Sequence, residues 1–185
     1  MFKIIKPPLL LVILLTAFES QAQQVKPKKA YEFRDLIKFI GIWESNATIT
    51  VDSIPYKVQY RMNFRKTADS YGINMDEAYS DSTLGNLRGA NLIGFGYDDK
   101  KIHWYHVDNM GATYERIGQW NDSDNLHFSH SSTQGEKKYN EVITYAFYGN
   151  DEFTYKHTSF LDGKEIKKTA GKFKRRQPAA PQPIK

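Results

Sequence analysis

The chain has 185 residues, of which 40% are hydrophobic and 25% charged, a globular composition with room for one domain and little for a second. Aromatic residues make up 14% and cysteine is absent, which excludes disulfides, thiolate metal sites, cysteine nucleophiles and a lipid-anchored N-terminal cysteine. The net charge of +5 is a mild basic excess, much of it in Lys26, Lys28, Lys29 and the stretch from Lys164 to Arg176.

At the start of the chain, Lys3 and Lys6 precede an apolar run from Leu9 to Phe18, and Glu19-Ser20-Gln21-Ala22 places small residues where a signal peptidase reads. This predicts a signal peptide over 1–22. The run is far short of the ~20 residues that span a bilayer, which argues against a stable membrane anchor. Export without cysteine suits a bacterial periplasm or cell exterior, because small eukaryotic secreted domains usually acquire disulfides. A flexible leader is expected over 23–30.

Tyr31 to Ile40 reads as one helix, with Phe33, Leu36, Ile37 and Ile40 recurring at three- and four-residue spacing before Gly41. From Trp43 the period changes to two. Between Tyr56 and Arg65 every second residue is apolar, so one face is core and the other solvent. Strands are expected at 43–51, 56–65, 70–79, 89–97, 101–108, 112–120, 124–131, 138–148, 151–160 and 164–174. Turn residues separate them, among them Asp98-Asp99, Asn109-Met110-Gly111, Gly149-Asn150 and Asp162-Gly163. Short strands at regular spacing without intervening helices predict an all-β, antiparallel barrel of about ten strands over 31–175, with the helix closing one end. Residues 176–185, with Pro178, Pro181 and Pro183 and no apolar periodicity, read as a disordered tail.

With the helix, the Gly41-Ile42-Trp43 opening of the first strand and the strand count in place, the chain resembles the calycins, which include lipocalins and fatty-acid-binding proteins. It is also similar to the bacterial DUF1579 proteins, whose pattern is matched by that opening and by Gly96-Tyr97-Asp98, Gly118-Gln119-Trp120 and Asp162-Gly163. These pieces are structural. The resemblance implies a small barrel with a cavity open at one end, and it implies no reaction. It also implies a Trp43 packed at the closed end under a basic residue of the last strand, with Lys174, Arg175 and Arg176 as candidates. The expected floor contacts of that ring are Phe33 or Ile37 of the helix.

Five histidines remain to be placed: His103, His106, His127, His130 and His157. The pairs His103/His106 and His127/His130 are three apart on strands, so their members point to opposite faces and neither pair chelates a metal by itself. Carrying the Tyr56–Phe64 face forward places Tyr60, Trp104, His106, Tyr114, Arg116, His130, Tyr155 and His157 inside together. An aromatic lining with a few convergent polar groups is the pattern of a small-molecule site. The competing expectation is a filled core whose polar tips satisfy one another.

Catalysis has less to stand on. Ser129 and Ser159 lie on strands without a strained elbow, and Asp76, Glu77 and Glu141 read as a solvated outer face. Gly94-Phe95-Gly96 leads into a strand and makes no phosphate loop. The cluster Lys172 to Arg176 reads as the solvated end of the last strand, with no nucleic acid as partner. The sequence therefore predicts an exported, non-catalytic barrel that binds a small apolar molecule and needs no cofactor. The alternatives are a histidine-based enzyme in the same cavity, a filled-core structural or partner-binding barrel, and a haem carrier with His157 as axial ligand.

Overall fold

A computed structural model describes residues 33–67 and 71–177. The predicted signal segment, the leader, residues 31 and 32 of the predicted helix and most of the tail lie outside the described residues. No described helix is long and apolar enough to cross a membrane.

In the described part of the expected helix, one α turn, α1 (Phe33–Leu36), gives way to a 3-10 turn (Ile37–Phe39) instead of continuing as α-helix to Ile40. Ten strands follow: β1 (Gly41–Val51), β2 (Ile54–Thr67), β3 (Gly72–Asp81), β4 (Gly85–Gly96), β5 (Lys101–Asp108), β6 (Thr113–Trp120), β7 (Asn125–Gln134), β8 (Lys137–Phe147), β9 (Glu152–Leu161) and β10 (Lys164–Arg175). Each pairs antiparallel with its chain neighbour, and β1 pairs with β10, so the sheet is a closed barrel with no free edge. The predicted all-β class and strand number are what the structure shows.

An up-and-down meander sends every odd-to-even turn to one end and every even-to-odd turn to the other. The tight turns Asp52-Ser53 and Asp162-Gly163 belong to the first end, and all four residues have positive φ, the conformation that matches two-residue turns to strand twist. At the opposite end, the short segment before β1 covers the barrel. The 3-10 winding at Ile37 repeats every three residues, so Phe39 inherits the inward direction of Leu36. Both are buried, whereas Ile37, expected on the core face, is 43% exposed.

Phe39 is the centre of the floor, with ring centroids 5.0 Å from Phe64, 4.9 Å from Tyr145 and 4.9 Å from Phe147. Trp43 is fully buried and donates from Nε1 to the Phe39 carbonyl at 2.6 Å, so its floor partner is this backbone and not Ile37. The Phe33 side chain lies outside the described residues. Above the Trp43 ring, at 4.2 Å, sits the guanidinium of Arg175, which also donates to the carbonyls of Lys38, Ile40 and Asn150. Arg175 thus provides the basic residue expected over Trp43. Its role corrects the reading of Lys172 to Arg176 as wholly solvated, as does Phe173, which is fully buried between two exposed lysines.

Candidate functional site

The aromatic floor fills one end of the barrel, and toward the other end lies a cavity of about 610 Å³. Every residue singled out from the sequence lines it. Tyr60 reaches it from β2, Trp104 and His106 from β5, Tyr114 and Arg116 from β6, His130 from β7, and Tyr155 and His157 from β9. The reason is the period of two, since each of these is in phase with buried apolar residues on its own strand. His103, three residues before His106, faces outward to Glu115 at 2.6 Å and Asp99 at 3.1 Å.

Two carboxylates overturn an expectation. Glu77 and Glu141, read as outer-face residues, are 6% and 1% exposed and point into the barrel, while Asp76 is solvent-facing. The signal was present: Glu77 is in phase with Ile73, Met75 and Tyr79, and Glu141 with Ile143, Tyr145 and Phe147. Their charge argued for solvent, and burial is possible only because the fold supplies partners.

For Glu141 those partners are Arg116, which donates from Nε, the hydroxyls of Tyr114 at 3.2 Å and Tyr139 at 3.0 Å, and His157 Nε2 at 3.0 Å. Burial pushes its carboxyl up, but the His157 hydrogen bond and the Arg116 charge outweigh burial and hold it well below the usual carboxylate range. Burial lowers His157, with Glu141 opposing. The same carboxylate adds to burial in pushing the Tyr139 hydroxyl up to about 12. Arg116 is sandwiched between the rings of Trp104 at 4.6 Å and Tyr114 at 4.7 Å, and its Nη2 donates to the Tyr114 hydroxyl at 2.7 Å.

Glu77 accepts from the Tyr60 hydroxyl and lies 3.4 Å from Asn91 Nδ2. Gly89 makes room for it, because a Cβ there would stand 2.8 Å from the Glu77 side chain. Asn91, missed from the sequence, is the hub beneath: its Oδ1 accepts from Trp104 Nε1 at 2.7 Å and from His106 Nδ1 at 2.7 Å. His106 Nε2 then faces Asp108 Oδ2 at 3.3 Å. His130 donates from Nδ1 to the Glu115 carbonyl at 2.7 Å and stacks on Tyr114 with centroids 4.5 Å apart.

This wiring bears on chemistry. Ser159 Oγ and Glu141 approach the same nitrogen of His157, at 3.4 and 3.0 Å. A nucleophile relay needs the acid and the hydroxyl on opposite nitrogens, so these three residues do not form one. Among the described residues, no group of three or more histidines and carboxylates is placed to hold a metal.

The described residues therefore form a closed ten-stranded antiparallel barrel, plugged by aromatics at one end and hollow at the other. No family model matches the chain, and no curated protein does. Among solved structures, it is similar to the S-type phycobiliprotein lyase CPES from Guillardia theta, with a TM-score of 0.56 and 12% identity over 80% of this chain and 94% of that one. A DUF3598-family protein of unknown function from Nostoc punctiforme also matches, with a TM-score of 0.24 and 6% identity over 80% of this chain and all of that one. The first of these likenesses supports the barrel fold.

Proposed function

We propose that the chain is a binding protein that takes one small organic molecule into the open half of its barrel, without chemistry. The cavity carries this reading. Its volume of about 610 Å³ falls within the ~300–1,000 Å³ of small-molecule sites, and its walls combine aromatic area with a few placed polar groups. The guest lays an apolar body against Trp104, Tyr114 and Tyr155 and directs a polar end toward the histidines at the mouth. The likeness to a phycobiliprotein lyase supports the fold of this reading and carries no activity over to this chain.

Titration of the mature protein with N-phenyl-1-naphthylamine tests it: saturable fluorescence near one equivalent is expected, and no saturable binding favours the filled-core alternative. The enzymatic alternative draws on the same histidines, but Nδ1 of His106 and His130 and Nε2 of His157 are each engaged within the wall. The haem alternative, with His157 as axial ligand, would be brought in by a stoichiometric Soret shift on adding haem. We further infer export through the segment 1–22 to a bacterial periplasm or exterior, checked by the N-terminus of the protein isolated from its own cells. Relationship to the DUF1579 proteins rests on the motif pieces alone, and they are structural here: Asp162-Gly163 is a tight turn, and Gly118 leaves space for the Phe128 ring.

A further inference from the structure

Lys167 lies on β10 in phase with Thr169 and Phe173, next to Ser159 on β9 and Val51 on β1. The β9–β10 register slips between Glu165 and Lys167. That bulge turns the lysine inward to line the cavity, while Glu165, two residues earlier, stays exposed. No feature of the sequence had separated Lys167 from its basic neighbours.

The carboxylates around the cavity have donors. Glu141 has Arg116, His157 and two tyrosines; Asp108 accepts from the backbone amides of Met110 and Ala112, each at 2.9 Å; Glu77 has Tyr60 and Asn91. Lys167 is different: half-buried, it makes no hydrogen bond or ion pair among the described residues. Burial lowers its pKa, and the carboxylates of Glu77, Asp108 and Glu141 oppose this only from beyond ion-pair reach. A half-buried ammonium facing an empty volume with aromatic walls is an incomplete pair.

Resting on the cavity reading above, we propose that Lys167 is the counter-ion of the guest, which is an organic anion: an acid group at the mouth against the ammonium, and an apolar body extending toward Trp104 and Tyr155. Of the carboxylates around the cavity, Glu141 is paired with the Arg116 charge, and Glu77 and Asp108 are held by hydrogen-bond donors in the wall.

Two probes with the same ring system separate this proposal from the reading it rests on. 1-Anilinonaphthalene-8-sulfonate carries an acid group and N-phenyl-1-naphthylamine does not. The native protein is expected to bind the sulfonate at least about tenfold more tightly, the gain of one charge-assisted contact. Lys167→Met should remove that preference and leave the neutral probe unchanged, and Lys167→Arg should keep it. Circular dichroism checks that the variants are folded, and the probe comparison on the native chain decides even if a variant is not. Equal affinity of the native protein for the two probes, or an equal loss of both in Lys167→Met, overturns the anion assignment and leaves the cavity standing. Failure of both probes to bind the native protein at one equivalent overturns cavity and anion together.

Discussion

Arg116 and Glu141 face each other from β6 and β8 as an ion pair, with side chains only 3% and 0% exposed. Neither charge is bearable there alone: the carboxylate is held by four donors, and the guanidinium lies between two aromatic faces. Removing one partner of such a pair typically costs about 3–5 kcal/mol, because the other stays buried and uncompensated. Glu141→Leu should lower the denaturant midpoint by that equivalent, and Arg116→Met/Glu141→Leu should recover much of the loss. A double variant as unstable as the sum of both single ones would show that the two residues do not depend on each other.

Stability should decline as pH falls. Folded His157 has a lowered pKa, so below ~6.5 the unfolded chain takes up a proton that the folded chain refuses, and stability is lost from there downward. Glu141, also lowered, adds its loss below about pH 4. His103 has the opposite sign. Glu115 raises it, so its contribution is present below ~6.5 and disappears as pH rises through the raised folded value. Denaturant unfolding of His103→Gln should therefore show a steeper fall between pH 7 and 5 than the native chain. A shallower fall would mean that Glu115 does not favour the protonated form of His103 in the folded chain.

Trp43 seals the floor through the Phe39 carbonyl, the Arg175 guanidinium and the ring of Phe153 at 4.6 Å. Truncation of a buried ring costs ~3–5 kcal/mol, so thermal melting of Trp43→Ala should fall by roughly 10 °C for a domain of this size. An unchanged melting curve would place the ring outside the core.

Gly118 needs its missing side chain. A Cβ there would collide with the Phe128 ring and stand 2.9 Å from the His127 carbonyl. Overpacking of this kind costs ~1–3 kcal/mol. Gly118→Ala should be destabilised by that amount, and Phe128→Leu in the same chain should relieve part of it. A double-mutant cycle on denaturant unfolding reads the coupling.

His106 is held by Asn91, which also fixes Trp104. His106→Leu removes one of the two partners of Asn91 Oδ1 and leaves the Trp104 bond, so the cost is that of one hydrogen bond, ~0.5–1.5 kcal/mol. The fold should survive, as judged by far-ultraviolet circular dichroism, while probe affinity changes because the cavity wall loses a polar group. Unaltered affinity for both naphthyl probes would place His106 away from the guest.

Much of this protein was legible in one dimension. Alternation of period two marks which side chains share a face, and that alone determined the strands, their number and the inward set from Tyr60 to His157, because the pleat of a strand has no other solution. Gly, Asn and Asp between the runs determined the hairpins, and closure followed from the number of strands. Alternation does not say how far along the barrel axis a residue lies. Which half is solid and which hollow was decided by the 3-10 turn that swings Phe39 inward, by Arg175 folding over Trp43, and by the relative height of strands that only pairing defines. The charges were decided there as well. Glu77 and Glu141 carried the same inward phase as their apolar neighbours, yet a carboxylate enters a core only if donors from other strands arrive with it, and Lys167 faces the cavity because of a bulge. Partners brought together across the barrel are separated by many residues in the chain, and the energy of a buried charge resides in those partners.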